Sequence, residues 1–437
     1  MAETIKVGMV SLGCPKNQCD AELMLAKIAK AGFKIVNEAG LADVVIINTC
    51  GFIQSAKEEA IEEIMEAISR KNDGINKKII VTGCLAERYQ KQMDEEFPEI
   101  DAVVGIAKND DIVEIINSVM LDRRVVTFGD KLQSTLPHYA YLRISDGCSN
   151  KCSYCAIPLI RGKMRSRKME NIIEEAKKFA ENGVKELVIV AQDVTAYGID
   201  LYKKYALPDL LKQLCKIDGI KWIRLLYCYP ERMTDELIET IKTEDKVLNY
   251  IDIPIQHCNK EILRNMYRGG DEQSLRELFA KLRREIPGVV LRTTLITGFP
   301  GETEEQFSEL AEFVNDIKFE RLGCFAYSAE EDTPAAEMPD QVDEGERQRR
   351  ADIITSEQEI RMGEYYAGMV GNTYEVVCEG FDRYSDMYFG RSMHFAPEID
   401  GMIYFTSAKD KGPLTIGDFV NVKITDVLEN NLLGERV

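Results

Sequence analysis

No apolar run in this chain approaches the ~20 residues that a helix needs to cross a bilayer, so a helical membrane protein is excluded. The opening residues, Met1-Ala-Glu-Thr-Ile-Lys6, lack the apolar core of a secretory leader, and the expected setting is cytoplasmic. Positive charge is in short supply: 55 Lys and Arg stand against 74 Asp and Glu, a formal net charge of −19. That balance argues against a protein that coats nucleic acid and suits a basic partner. Solenoid repeats and low-complexity tracts are missing too, so the fold is not a stack of copied units. What remains is a composition that folds normally, 45% hydrophobic and 30% charged over 437 residues. Such a chain has room for about three domains with sizeable cores.

Cysteine is plentiful, with twelve in all. Without secretory features these read as metal ligands or buried thiols, not disulfides. Three of them form a CxxxCxxC triplet, Cys148-Ser-Asn-Lys-Cys152-Ser-Tyr-Cys155. Three thiolates so spaced can hold three irons of a [4Fe–4S] cluster and leave the fourth bare, whereas a structural cluster or zinc site takes four protein ligands. A bare iron invites a small-molecule ligand, and with it catalysis.

The apolar pattern divides the chain into three regions. Over 5–121, buried runs at 6–12, 43–48 and 78–82 alternate with helical stretches such as Ile53, Ala60, Ile64 and Ile68, which predicts an open parallel α/β sheet. Each run ends in a cysteine: Cys14, Cys50 and Cys84. The carboxyl ends of parallel strands share one edge, where ligands bind, so these three thiols should converge as a second three-cysteine site. After a polar connector at 122–138, six further runs alternate with helices over 138–366, namely 141–145, 186–191, 222–227, 249–255, 289–296 and 321–326. Six units make a partial (β/α)6 barrel whose chemistry belongs at the carboxyl ends of its strands. Polar groups cluster there: Cys148, Gln192, Asp193, Tyr229, Gln256, His257, Thr297, Gly298, Tyr327 and Ser328. A long polar helix is expected at 344–365. Short strands with turn signals over 369–437 predict a small antiparallel β-barrel.

The triplet, with an aromatic before its last cysteine, resembles the radical S-adenosylmethionine (SAM) superfamily. Three cysteines on an amino-terminal α/β sheet, that partial barrel and a terminal TRAM-like barrel together resemble the methylthiotransferase family over nearly the whole chain. The resemblance rests on Ser11-Leu-Gly-Cys-Pro-Lys-Asn17, Asn48-Thr-Cys-Gly-Phe-Ile53, Ile157-Pro-Leu-Ile-Arg-Gly-Lys-Met-Arg-Ser-Arg167, Gln192-Asp-Val-Thr-Ala-Tyr-Gly198 and Gly298-Phe-Pro-Gly-Glu-Thr303. The first stretch has the form of the branch that modifies a ribosomal protein. One departure is Cys19, where an aliphatic residue is usual; it reads as a packed helix residue.

The resemblance implies two [4Fe–4S] clusters, one on Cys148, Cys152 and Cys155 and an auxiliary one on Cys14, Cys50 and Cys84. It implies two molecules of SAM, one to methylate a cluster-borne sulfur and one to yield a 5′-deoxyadenosyl radical. The implied acceptor is the β-carbon of an aspartate in small-subunit ribosomal protein S-twelve, free or within the subunit, with a low-potential electron donor as a further partner. Within the barrel it implies SAM contacts at Tyr154, Gln192, Asp193 and Gly298. The basic run Arg161, Lys163, Arg165, Arg167 and Lys168 is read either as a solvated face or as a source of arginines that orient a carboxylate. His257 reads as a core residue, and Cys215, Cys228, Cys258, Cys324 and Cys378 as buried small hydrophobes. From 371 to 437 eleven acidic residues outnumber six basic ones, which suits a basic protein better than RNA. Two alternatives stay open: a tRNA methylthiotransferase acting on a hypermodified adenosine, and a non-catalytic iron–sulfur or zinc scaffold on the ribosome.

Overall fold

The computed structural model describes residues 4–51, 53–120 and 135–437. The expected connector therefore lies outside the described residues, apart from its last four positions.

The amino-terminal region folds as a parallel sheet of β1 (Lys6–Ser11), β2 (Lys34–Val36), β3 (Val44–Thr49), β4 (Lys78–Gly83) and β5 (Ala102–Val103), in the order β2-β1-β3-β4-β5. All six residues of β3 are buried, as a strand covered on both faces requires. Helices α1 (Pro15–Lys30), α2 (Gln54–Asn72), α3 (Cys84–Glu96) and α4 (Ile112–Met120) supply the covering layers. The three central strands are those expected; the edge strands β2 and β5, three and two residues long, carry too little pattern to be read in advance.

The central region is the expected open barrel. Strands β6 (Tyr139–Arg143), β9 (Glu186–Val190), β10 (Trp222–Leu225), β11 (Val247–Asp252), β12 (Val290–Thr297) and β13 (Arg321–Ala326) form one six-stranded sheet, joined in chain order by parallel pairs. Two short strands, β7 (Ser145–Asp146) and β8 (Arg165–Ser166), pair around the cysteine loop and its helix α5 (Ile157–Arg161). Alternate residues of the barrel strands point to opposite faces. Leu187, Ile189, Ile223 and Ile251 meet the surrounding helices, while Tyr141, Val188, Trp222 and Tyr250 line the concave face.

That concave face is occupied from both ends. The carboxy-terminal strands β14 (Thr373–Asp382), β15 (Met387–Ser392), β16 (Ile403–Thr406), β17 (Phe419–Leu428) and β18 (Asn431–Arg436) close into a barrel. Its pairs are antiparallel except β16 on β18, a parallel closure the turn signals did not foretell. This barrel presents Val377, Ala396 and Phe419 to the starts of the central strands, with Phe419 edge-on to Trp222 at 4.8 Å. A buried ionic chain cements the joint: Glu186 accepts from Arg224 at 2.7 Å and Arg391 at 2.9 Å, and Arg391 also reaches Glu379 at 2.7 Å. The two guanidiniums hold the wholly buried Glu186 carboxyl down to about 2 against the pull of burial. From the other end α1 enters the concavity, with Cys19 packed beside Tyr141. The polar helix runs Glu344–Met369, four residues beyond the expected 365.

Candidate active site

Register brings the amino-terminal cysteines together. Ser11 aligns with Asn48 and Thr49 with Gly83, so the residues that follow β1, β3 and β4 emerge side by side. Cys14 caps the start of α1 with Pro15 at the first turn, and Cys84 opens α3. The approach demands glycine at two points. Gly13 (φ +92°) and Gly83 (φ +97°) hold left-handed backbone, and a Cβ would fall 2.7 Å from Cys50 Cβ or 2.3 Å from the Thr49 carbonyl.

Asn17 is the hub of this edge, and sequence reasoning did not single it out. Its Nδ2 donates to the carbonyls of Leu12 and Thr49, both at 2.9 Å, and its Oδ1 accepts from the Cys84 thiol at 3.5 Å and from Arg161 Nη2 at 3.0 Å. One amide thereby ties all three cysteine loops. Burial pushes the Cys84 thiol up to about 11, against the pull of Arg161. Cys14 feels the same burial, but Lys16, the Asn17 N–H and Arg161 outweigh it and hold this thiol below its usual range.

The second triad sits in the loop after β7. Cys148 N donates to Gly162 O, Ser153 N to Met266 O and Cys155 N to Cys152 O, each at 3.1 Å, which pins the loop at three points. Burial lifts Cys148 to about 11 and Cys155 to about 12, the second opposed in part by the Ile157 N–H and by Lys16. Tyr154 packs near Ile262, Phe299 and Tyr327, its hydroxyl accepting from Arg268 at 3.3 Å.

The other residues expected at this end of the barrel differ in how free they are. Among the described residues Gln192 is unpartnered at both its amide nitrogen and its amide oxygen, though both are buried. Asp193 is committed, since it accepts from Arg232, Asn150, Thr195 and the Ala196 N–H. Gly298 donates its N–H to Glu302 at 2.9 Å and packs on Arg347. His257 is a core residue, accepting from Asn259 N at 2.9 Å and lying 3.6 Å from Glu302. Cys228, Cys258 and Cys378 are buried as expected, whereas Cys215 and Cys324 are half-buried.

The two triads adjoin beside α1, with Cys84 packed on Ala156 and Ile160 just after Cys155. On the barrel-facing side of α1, Lys16 sets its ammonium 3.7 Å from the centroid of the Tyr227 ring, Cys19 meets Tyr141, and Asp20 pairs with Arg143 and with Arg161 at 2.9 Å. Lys16 acts on Cys14 of one triad and Cys155 of the other, so both lie within its field. Tyr227 holds a left-handed backbone (φ +65°), an uncommon state for a large side chain and one that collects at functional sites. The basic run resolves into different tasks. Arg161 is buried on Asp20 and Asp146, Arg165 reaches Asp146 from the surface, and Arg167 pairs with Glu175. Further out, Lys57 of α2 and Arg88 of α3 share the buried Glu330 at 2.7 and 2.9 Å, binding the amino-terminal sheet to the barrel rim.

The donors present are six thiols in two sets of three. Among the described residues no three Cys, His, Asp or Glu converge as one metal ion needs. A [4Fe–4S] cluster instead offers each thiolate its own iron, and thus holds its ligands apart. Gln192 adjoins Asp193, which accepts from Asn150 of the cysteine loop, and its buried amide is left without a hydrogen-bond partner among the described residues.

Comparison with known proteins agrees. Residues 142–314 match the radical SAM superfamily, 6–105 the uncharacterized protein family UPF0004, and 370–437 the TRAM domain. The protein named ribosomal protein uS12 methylthiotransferase RimO of Caldanaerobacter subterraneus subsp. tengcongensis is 48% identical over 439 residues, covering 98% of this chain and 99% of its own. Its namesake in Desulforamulus reducens is 48% identical over 444 residues, with the same coverage of 98% and 99%. A solved structure of the radical SAM methyltransferase TsrM from Kitasatospora setae, with tryptophan and a SAM analogue bound, superposes with a TM-score of 0.56. At 13% identity, over 74% of this chain and 73% of that one, it shows the fold alone. With near-complete coverage by such relatives and all three regions matched, the chain belongs to the RimO family of radical SAM methylthiotransferases.

Proposed function

We propose that this enzyme adds a methylthio group to small-subunit ribosomal protein uS12, at the β-carbon of an aspartate. Cys148, Cys152 and Cys155 hold the radical-generating cluster, and Cys14, Cys50 and Cys84 the auxiliary one. Gln192, Asp193, Tyr154 and Gly298 form the wall on which SAM rests, Gln192 through its unpartnered amide and Asp193 by keeping Arg232 and Asn150 in place. When bound, the clusters and SAM supply the homolytic chemistry and the sulfur that an unactivated C–H bond requires. No carboxylate or imidazole of the chain could remove that hydrogen as a proton. The chain instead encloses the reaction, with α1 and the terminal barrel filling the concavity from either end.

What supports this reading most is that the carboxyl ends of two parallel sheets adjoin, with Cys84 packed on Ala156 and Ile160 just after Cys155. An acceptor carbon between them is within reach of a hydrogen-abstracting site and a sulfur-donating site together. The acidic carboxy-terminal barrel favours a basic ribosomal protein over RNA. The working units are 5–121 for the auxiliary cluster, 138–366 for the barrel and 369–437 for the terminal barrel. A low-potential electron donor and a cytoplasmic setting follow from this substrate.

The test offers uS12 and bulk tRNA separately to anaerobically prepared enzyme with SAM and a reductant. A methylthio mass increment on uS12 is the expected result. An increment on tRNA alone makes the enzyme a tRNA methylthiotransferase, and zinc in place of iron, with no 5′-deoxyadenosine formed, makes the chain a scaffold.

A further inference from the structure

The gap between the triads contains a buried cation that no carboxylate pairs with among the described residues. Lys16 is 9% exposed, and among the described residues its ammonium makes no ion pair and no hydrogen bond; its neighbour is the Tyr227 ring at 3.7 Å. Buried ammonium groups are costly to keep unpaired. Arg161 pairs with Asp20 and Asp146, Arg143 with Asp20 and Arg232 with Asp193, while Arg268, which has no carboxylate among the described residues, donates to the Tyr154 hydroxyl and the Pro254 carbonyl. The nearby Asp252 is spent as well, on Arg292 at 2.8 Å and the Tyr227 N–H at 2.9 Å. Among the described residues Lys16 is therefore the cation of this gap whose charged end has neither an ion pair nor a hydrogen bond, held at the first turn of α1 and against a tyrosine in a left-handed conformation.

We propose that Lys16 is the positioning residue for the acceptor aspartate: its ammonium pairs with the substrate side-chain carboxylate and so presents the adjacent β-carbon to both triads. This rests on the functional reading above and deepens it. A carboxylate is one bond from the carbon to be modified, so a cation that fixes it also fixes the reacting C–H bond. The Tyr227 face stabilises the ammonium before substrate arrives, and the aspartate replaces that weaker contact with a full charge pair. Asparagine at the acceptor position has the same shape without the charge, and Lys16 then rejects it.

Equilibrium binding of free uS12 to the enzyme carrying both clusters tests this without turnover. The acceptor position is kept as Asp or changed to Asn, and each form is titrated against wild type, Lys16→Met and Lys16→Arg. Wild type binds the Asp form about tenfold or more tighter than the Asn form, Lys16→Met binds the two alike, and Lys16→Arg recovers part of the preference. An Asp preference that survives in Lys16→Met overturns the inference. If Lys16→Met fails to keep its clusters, the wild type still decides: equal affinity for the two forms of uS12 overturns it. A wild type that never modifies uS12 sinks the functional reading itself, a result distinct from either.

Discussion

The two cysteine triads reach the same end by opposite routes. Cys148, Cys152 and Cys155 lie within one loop of eight residues, pinned by backbone bonds within it, to Gly162 and to Met266. Cys14, Cys50 and Cys84 come from three strands and meet only once β1, β3 and β4 are in register. A loop triad can be assembled by one segment, whereas a strand triad exists only when its whole sheet has folded. The difference teaches where each site is vulnerable. The loop site depends on its thiols, and the sheet site depends also on the groups that tie its strand ends together.

Removing a thiol from each breaks the comparison most sharply. Cys152→Ala is expected to abolish 5′-deoxyadenosine formation while about half the iron stays on the strand triad. Cys50→Ala is expected to do the reverse, abolishing methylthio transfer while SAM cleavage continues and about half the iron is lost. Iron content and product analysis on the same preparations decide it. If Cys50→Ala also stops SAM cleavage, the triads are not separate sites.

Asn17 sharpens the contrast, because its one side-chain amide joins all three strand ends. Asn17→Ala removes a donor from the carbonyls of half-buried Leu12 and buried Thr49 and takes one acceptor each from Arg161 and the Cys84 thiol. The cost is on the order of 2 kcal/mol, concentrated where three loops meet. Iron bound by the strand triad should fall severalfold in a chelator challenge while SAM cleavage holds near wild type. Equal loss from both sites would make Asn17 a general stability residue.

How far each site could be read in advance follows the same division. The loop triad is visible in its spacing, and the six barrel strands in their alternation with helices. The strand triad could be inferred because each apolar run ended in a cysteine and parallel strands share one edge. What joins the sites could not. Asp20 and Arg161 are 141 positions apart, and no local pattern links them. Arg161 was therefore read as a candidate for an external carboxylate, yet it is buried on two carboxylates of its own chain. Lys16 and Asn17 stood in a recognisable stretch, but which way α1 turns them is decided by its docking into the barrel. His257 and Cys19 read from the sequence as packed residues, and both are buried.

The smallest expected effect concerns pH and depends on the field of Lys16 and Arg161. Iron binds thiolate, so a thiol still protonated in the metal-free chain must release its proton on ligation, and each proton released makes affinity fall about tenfold per unit of acidification. In the loop triad burial holds Cys148 at about 11 and Cys155 at about 12, so both release a proton near neutral pH. In the strand triad Cys84 does the same from about 11, but Cys14 lies below its usual range because Lys16, the Asn17 N–H and Arg161 outweigh its burial. Both clusters should therefore be held less tightly as pH falls, the loop cluster on the steeper slope. Cys152→Ala and Cys50→Ala each isolate one cluster, and iron retained against a chelator between about pH 6 and pH 8 gives the two slopes. Parallel slopes would mean that the cations between the triads do not favour the strand-borne thiolates, and that the two sites differ in assembly alone.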